Sequence, residues 1–311
     1  MRQTRMLTGW AVALLVTLSI VPVSRPAGAA GPGLMEKVGN GTVDWTAGQI
    51  AVTGSGAAPD HGGTAQKRLL ARRAAVVDGY RQIAEIINGV RVNSETVVKD
   101  FVTESDTIRT QVSALVKGAR IGEPRFLSDG AVEVDVRVPM YGQGSLADAV
   151  DLEKVPSRPH HKRHAALPPT YDLGAAVAMQ PLGLLSHRSF FVAAGGTYTG
   201  VIIDCSAVGI QPAMSPTVLD ESQNEIYVGT LPVDPDIVVN EGIVSYKASV
   251  GDARADTNRA GNNPLLMSAQ QSAGQFRADA VLSPDDSANL AQANIANPFL
   301  AQTKVSFVIR R

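Results

Sequence analysis

The sequence predicts an α+β protein in two parts: a two-layer β-α-β-α-β-β N-terminal domain, then a separate mixed α+β, strand-rich C-terminal domain. Three observations carry this. Arg68 to Val90 forms one amphipathic run. Val132, Val134, Val136 and Val138 alternate with Glu133, Asp135 and Arg137. Ser283-Pro284-Asp285-Asp286 opens a helix among short apolar segments. A 3.6-residue period followed by a period of two is the signature of a helix laid on a half-wet sheet.

Taken in order, residues 31–44 are glycine-rich and read as a loose lead-in, and Trp45 to Gly54 as the first strand. Ser55 to Gly63 is punctuated by glycine, proline and aspartate and reads as a loop. In the long helix, Leu69, Val76, Tyr80, Ile83 and Ile87 fall on one face, widened by Leu70, Ala74 and Val77, with Arg68, Arg72, Arg81 and Glu85 on the other side. Asn88-Gly89 suits a left-handed exit. Val90 to Val102 is rich in β-formers and reads as a strand. Thr103 to Asp106 has capping-box spacing before a second helix carrying Ile108, Val112, Leu115 and Val116. Ala119 to Leu127 and Ala131 to Met140 make a hairpin around Ser128-Asp129-Gly130. The domain so defined is 45–141.

Residues 142–183 hold prolines, glycines and the run His160-His161-Lys162-Arg163-His164, a linker by composition. The C-terminal domain is 184–311. Its expected strands include Phe190 to Val192, Tyr198 to Ile203, Glu225 to Val228, Gly242 to Ser249, Pro264 to Ala269, Ala278 to Ser283 and an alternating Lys304 to Arg310. Ser283 caps a helix that carries Leu290 and Ile295 and ends near Asn297-Pro298.

Residues 1–30 read as a signal peptide: Arg2 and Arg5, an apolar Leu7 to Val21, then Ala27-Gly28-Ala29-Ala30 as a cleavage site after Ala29 or Ala30, with an uncleaved anchor as the alternative. No other stretch approaches the roughly 20 apolar residues of a spanning helix. Cleavage would remove Arg2, Arg5 and Arg25 and no acid, taking the formal charge from −1 to −4. An acidic chain without a basic block argues against nucleic acid as a partner. Cys205 is the one cysteine, so no internal disulfide is available. In its apolar surroundings it reads as a small buried hydrophobe, an intermolecular disulfide and a reactive thiol being the alternatives.

The opening W-x-x-G-x-I-x-x-x-G (Trp45, Gly48, Ile50, Gly54), the ARRAA-x-x-D-x-x-R core (Ala71 to Arg81), GV-x-V (Gly89 to Val92), KGARI (Lys117 to Ile121) and the Asp129-Gly130 hairpin occur in that order. Over Trp45 to Met140 the chain resembles the N-terminal domain of flagellar assembly protein T and the related twenty-kilodalton bacterial envelope lipoproteins. The resemblance implies a periplasmic or outer-membrane-associated structural protein without known chemistry, with envelope or flagellar basal-body proteins as partners. No cysteine stands near the cleavage site to take a lipid anchor.

Asp204-Cys205-Ser206 offers nucleophiles, with His61 and His187 as candidate bases. Asp285-Asp286 offers paired carboxylates, which a helix start already explains. His160, His161 and His164 could meet a divalent metal, but an exposed tract lacks the fixed geometry such a site needs. Arg68, Arg72 and Arg73 could meet an acidic partner or lipid headgroups, a solvated helix face being the simpler reading. Gly54-Ser55-Gly56 and Gly195-Gly196 read as turn glycines. No catalytic, cofactor or metal residue is therefore assigned. The expectation is an exported, non-enzymatic structural or assembly protein of the envelope, flagellum-associated in its sharper form, with a homo-oligomer among its expected states. A periplasmic binding module for a small ligand, glycan or metal is the alternative.

Overall fold

The computed structural model describes residues 33–154, 197–228 and 231–310. The signal segment, the three linker histidines, His187, Phe190 to Val192 and Gly195-Gly196 lie outside them. The described residues belong to one compact unit, and its architecture is α+β. The first region is an antiparallel sheet with helices on one face. The second is strand-rich, with sheets of its own.

The lead-in departs from expectation. Met35–Val38 (β1) and Gly41–Asp44 (β2) form a hairpin, with Gly39 at φ 56 in its two-residue turn. Gly39-Asn40 between β-prone residues was the legible signal. The next strand, β3, is Gln49–Gly56, so Trp45 precedes it and the loop starts only at residue 57. Helix α1 is Thr64–Gly89. Gly89 keeps helical backbone, and the chain leaves through an extended Val90 (φ −64, ψ 128) rather than a left-handed residue.

The expected strand over 90–102 is not formed. Asn93 Oδ1 accepts hydrogen bonds from the Glu95 and Thr96 amides and the Thr96 hydroxyl, folding the chain back at that point. Val98–Glu104 is then helix α2, with the Asp100 carboxylate accepting from the Val97 amide. β-Branched composition misleads here because a local Asx turn supplies the backbone with other partners. Helix α3 is Asp106–Lys117, capped by Ser105, whose hydroxyl accepts from the Ile108 amide. The cap thus lies two residues beyond Thr103.

Arg120–Ile121 (β4), Arg125–Phe126 (β5) and Val132–Pro139 (β6) complete the sheet, in the order β1-β2-β3-β6-β4 with β5 also on β6. The region therefore runs β-β-β-α-α-α-β-β-β rather than β-α-β-α-β-β. The Asp129-Gly130 turn forms as expected, Gly130 sitting at φ 84. Val132, Val134, Val136 and Val138 are all fully buried against the helical layer. Residues 142–154 are not linker. Leu146–Ala149 (α4) and a 3-10 turn at Leu152–Lys154 bury Leu146, Val150 and Leu152.

The C-terminal region is built on a parallel sheet. Its strands are Gly200–Asp204 (β7), Ser245–Lys247 (β10), Pro264–Ser268 (β11) and Val305–Val308 (β14), in the order β10-β14-β7-β11. A smaller sheet holds Val218–Leu219 (β8), Glu225–Tyr227 (β9), Gln271–Ala273 (β12) and Asp279–Val281 (β13). Helices Pro235–Glu241 (α5), Val250–Ala255 (α6) and Thr257–Ala260 (α7) had no counterpart in the sequence reading. Helix α8, Pro284–Ala296, starts on Ser283 as expected. It buries Leu290, but Ile295 is 85% exposed, not a core residue. β14 does not alternate: all four of its residues are buried. Val201, Ile203, Val305 and Phe307 face the main core, while Ile202 and Val308 pack with Ala253 and Ala260 of α6 and α7.

One apolar core runs through both regions. Trp45 meets Tyr246 edge-on at 5.9 Å, and Tyr246 meets Phe307 at 6.1 Å. The backbone of 91–94 bonds across the seam: the carbonyls of Arg91, Val92 and Ser94 accept from the amides of Met214, Ser215 and Phe276. Those groups are unavailable to the N-terminal sheet, which is why 90–94 adds no strand to it.

Candidate interaction surface

Helix α1 positions the surface. Its inward stripe is small at the start, Ala71, Ala75 and Gly79, and large at the end, Ile83, Ile86 and Ile87. The small half is matched by Gly54 and Gly56 on β3. A Cβ added at Gly54 would lie 2.2 Å from the Ala75 carbonyl oxygen, and one at Gly56 2.2 Å from that of Ala71. These glycines are contact points, not the turn glycines expected. The helix backbone rests almost on the strand, so only small side chains fit between them. The larger apolar residues of that half turn outward: Leu69 is 49%, Leu70 38% and Val77 65% exposed. The expected core face is thus rotated. Leu69, Leu70, Ala74 and Val77 are surface residues, and Val76 and Tyr80 are half-buried on the flank.

Leu70, Ala74 and Val77 form an outward line at spacings of four and three, bordered by Arg73 and Arg81 over a shallow open groove. Asp78 fixes the groove to the sheet. Its carboxylate accepts from the Ser55 amide at 3.0 Å, from Gln82 Nε2 at 2.6 Å and from Arg81 at 2.9 Å. The Ser55 amide above all holds this carboxyl below its ordinary range.

The first turns of α1 extend past the sheet. Ala71 is the first residue seated on β3, over its last residue, Gly56. Phe126 pairs with Val132, which pairs with Gly56, so Phe126 shares that row and the helix-bearing face. It is 54% exposed, its neighbour Leu127 42%, and the Arg68 guanidinium lies 5.7 Å from the Phe126 ring centre. The adjoining sheet edge is blunted against strand addition by the shortness of β4 and β5 and by Pro124.

Among the described residues, the candidate nucleophiles, bases and carboxylates are not brought together. Cys205 is fully buried, its thiol donating to the Ile203 carbonyl at 3.5 Å. Burial first, then Asp204, pushes the thiol far above its ordinary range. This removes the reactive-thiol alternative, since nucleophilic cysteines need an accessible thiolate. The Ser206 hydroxyl donates to Asp204. His61, the one histidine among the described residues, is exposed on the loop before α1. Asp286 is engaged in the helix cap with Ser283. Among the described residues, no group of three or more histidine, cysteine, aspartate or glutamate side chains is placed to hold a metal. No described helix is long and apolar enough to cross a membrane.

Sequence reasoning missed the seam. Arg91 donates to the Pro212 carbonyl at 2.7 Å and to Glu36, and its guanidinium lies 5.8 Å from the Trp45 ring centre. The buried hydroxyls of Ser94 and Ser215 there have no hydrogen-bond partner among the described residues. Nothing in the local pattern around Arg91 announces a contact with residues more than a hundred positions away.

Comparison with known proteins adds one finding. Residues 200–311, just over a third of the chain, match the family model described as Treponema pallidum Tp0624, second domain. No curated protein matches the chain.

Proposed function

We propose that this protein is an exported, non-enzymatic structural component of bacterial envelope assemblies that works by docking other proteins on the outward face of α1. The observation that carries the reading is the Leu70–Ala74–Val77 line, apolar yet exposed on a helix whose other face is fully packed. Spacings of four and three present one stripe along a helix, the pattern by which helices engage grooves or other helices. The flagellar form of the role, with basal-body proteins as partners, rests on the resemblance over Trp45 to Met140. Periplasmic or outer-membrane-associated placement rests on that resemblance and the signal-like first thirty residues.

A photocrosslinking amino acid at Val77, introduced in cells, tests this. Crosslinks to one envelope protein, or to a second copy of the chain, that disappear in a Leu70→Asp background support the proposal. Val77 that crosslinks to nothing, with the same probe reactive in a control assembly, overturns it.

A further inference from the structure

We infer that the overhanging start of α1 and the tip of the β5–β6 hairpin together form a contact surface for an anionic phospholipid leaflet. Residues 64–70 extend beyond the end of β3, about 10 Å at the helical rise. A Cβ at Gly130 would lie 3.8 Å from that of Ala58, which puts the hairpin tip beside the loop leading into α1. Leu69, Phe126 and Leu127 are exposed at this end. Lys67, Arg68, Arg72 and Arg73 stand among them, and no acid occurs from Thr64 to Val77.

Among the described residues no carboxylate pairs with these four cations, whereas Arg81 and Arg109 each hold one and Arg125 holds two. The loop before α1 and the hairpin turn bring Asp60 and Asp129 to this end, and Glu133 in the neighbouring row is paired with Arg125. Asp129 turns its carboxylate to the Ala131 amide inside the hairpin turn. The chain as a whole carries a slight negative charge, so the cluster is a local excess. A protruding helix end and a hairpin tip make a convex surface, the shape that meets a flat leaflet. Apolar tips enter the headgroup boundary while arginines keep their heads among phosphates.

The inference goes beyond the assembly reading, and its test contains no protein partner, so either can fail alone. The protein from Gly31 onward, which holds the whole compact unit, is sedimented with vesicles. One set is phosphatidylcholine and the other phosphatidylcholine with about one third phosphatidylglycerol. We expect pelleting with the second set only, lost in high salt because the attraction is screened. Arg68→Ser with Arg72→Ser lowers partitioning about thirtyfold, from roughly 1 kcal/mol per cation at an anionic surface. Arg68→Lys with Arg72→Lys retains it, since lysine and arginine contribute about equally at an anionic surface. Phe126→Ser with Leu127→Ser also weakens it. If that pair fails to fold, the exposed arginine pair decides alone. Equal pelleting with both vesicle sets, or a serine variant that pellets like the parent, overturns the inference. So does binding to soluble polyglutamate with none to vesicles, which would make this a site for an acidic polypeptide.

Discussion

The strands β6 and β14 are both rich in valine, and they solve opposite problems. β6 alternates, with four buried valines facing α1 and Glu133, Asp135 and Arg137 facing outward, where Arg125 grips Asp135 at 2.9 and 3.0 Å. β14 is buried throughout, one face on the main core and the other under α6 and α7. An antiparallel sheet covered on one side writes its orientation into the sequence. A parallel sheet covered on both sides does not. The Val305, Phe307 and Ile309 alternation looks like a half-wet strand, but Ser306 is buried between its neighbours and bonds Ser245 at 2.8 Å.

The sharpest way to break this comparison is to put a polar group on each face of one strand in each sheet, β6 and the neighbour of β14, β7. Ile202→Asn and Ile203→Asn lie on opposite faces of β7, and each is expected to cost about 3–5 kcal/mol in chemical denaturation. In β6, Val134→Asn should cost as much and Arg137→Asn less than about 0.5 kcal/mol. An Ile202→Asn protein as stable as the Arg137→Asn protein would mean that the second face of the parallel sheet is not covered.

Trp45→Ala tests whether the two regions share one core. The loss is expected at about 3–5 kcal/mol. Because Trp45 touches Tyr246 and through it Phe307, hydrogen exchange should quicken in β14 as well as in β3. Quickening confined to residues 33–154 would make the seam a loose contact.

Gly54→Ala probes the close approach of α1 to β3, where the new methyl meets backbone and not a yielding side chain. About 2–3 kcal/mol of destabilisation is expected. Gly63→Ala, with open space around it, should be nearly silent.

Asp78→Asn is a smaller change, about 1 kcal/mol near neutral pH, since it weakens a charge-assisted tie between helix and strand. The folded carboxyl titrates below its unfolded value. Its contribution is therefore complete above the ordinary carboxylate pKa and disappears as pH falls through the depressed one. The gap between parent and variant should close over that acid window. A gap unchanged there would rule out the carboxylate as its source. Smallest of all, Cys205 should resist alkylation in the folded protein and react once unfolded, since its thiol is both buried and held protonated. Rapid labelling under native conditions would contradict the burial.

Several elements were legible because their signals are local. The Ser283 cap, the Asp129-Gly130 turn, the valine strand and the span of α1 all follow from neighbours within a few residues. The inward face of α1 was not. Leucine and valine outrank alanine in any hydrophobic count, yet the alanines go inside because β3 offers glycines opposite them. Residues 90–102 misled for the same kind of reason, since their β-propensity gives way to an Asx turn and to carbonyl partners across the seam. The exposed surface on α1 is a by-product of that rotation, so it too was hidden from a reading of periodicity.

The sequence by itself determined the class of the fold, the caps and turns, and the one-sided character of the N-terminal sheet, because each follows from short-range backbone chemistry and a repeating pattern. Only the tertiary structure decided which face of α1 is buried, that residues 142–154 belong to the fold, and that Trp45, Arg91 and Tyr246 join the two regions. Those outcomes depend on which surfaces meet. Burial is a property of pairs of surfaces far apart in the chain, and a single segment carries only half of each pair.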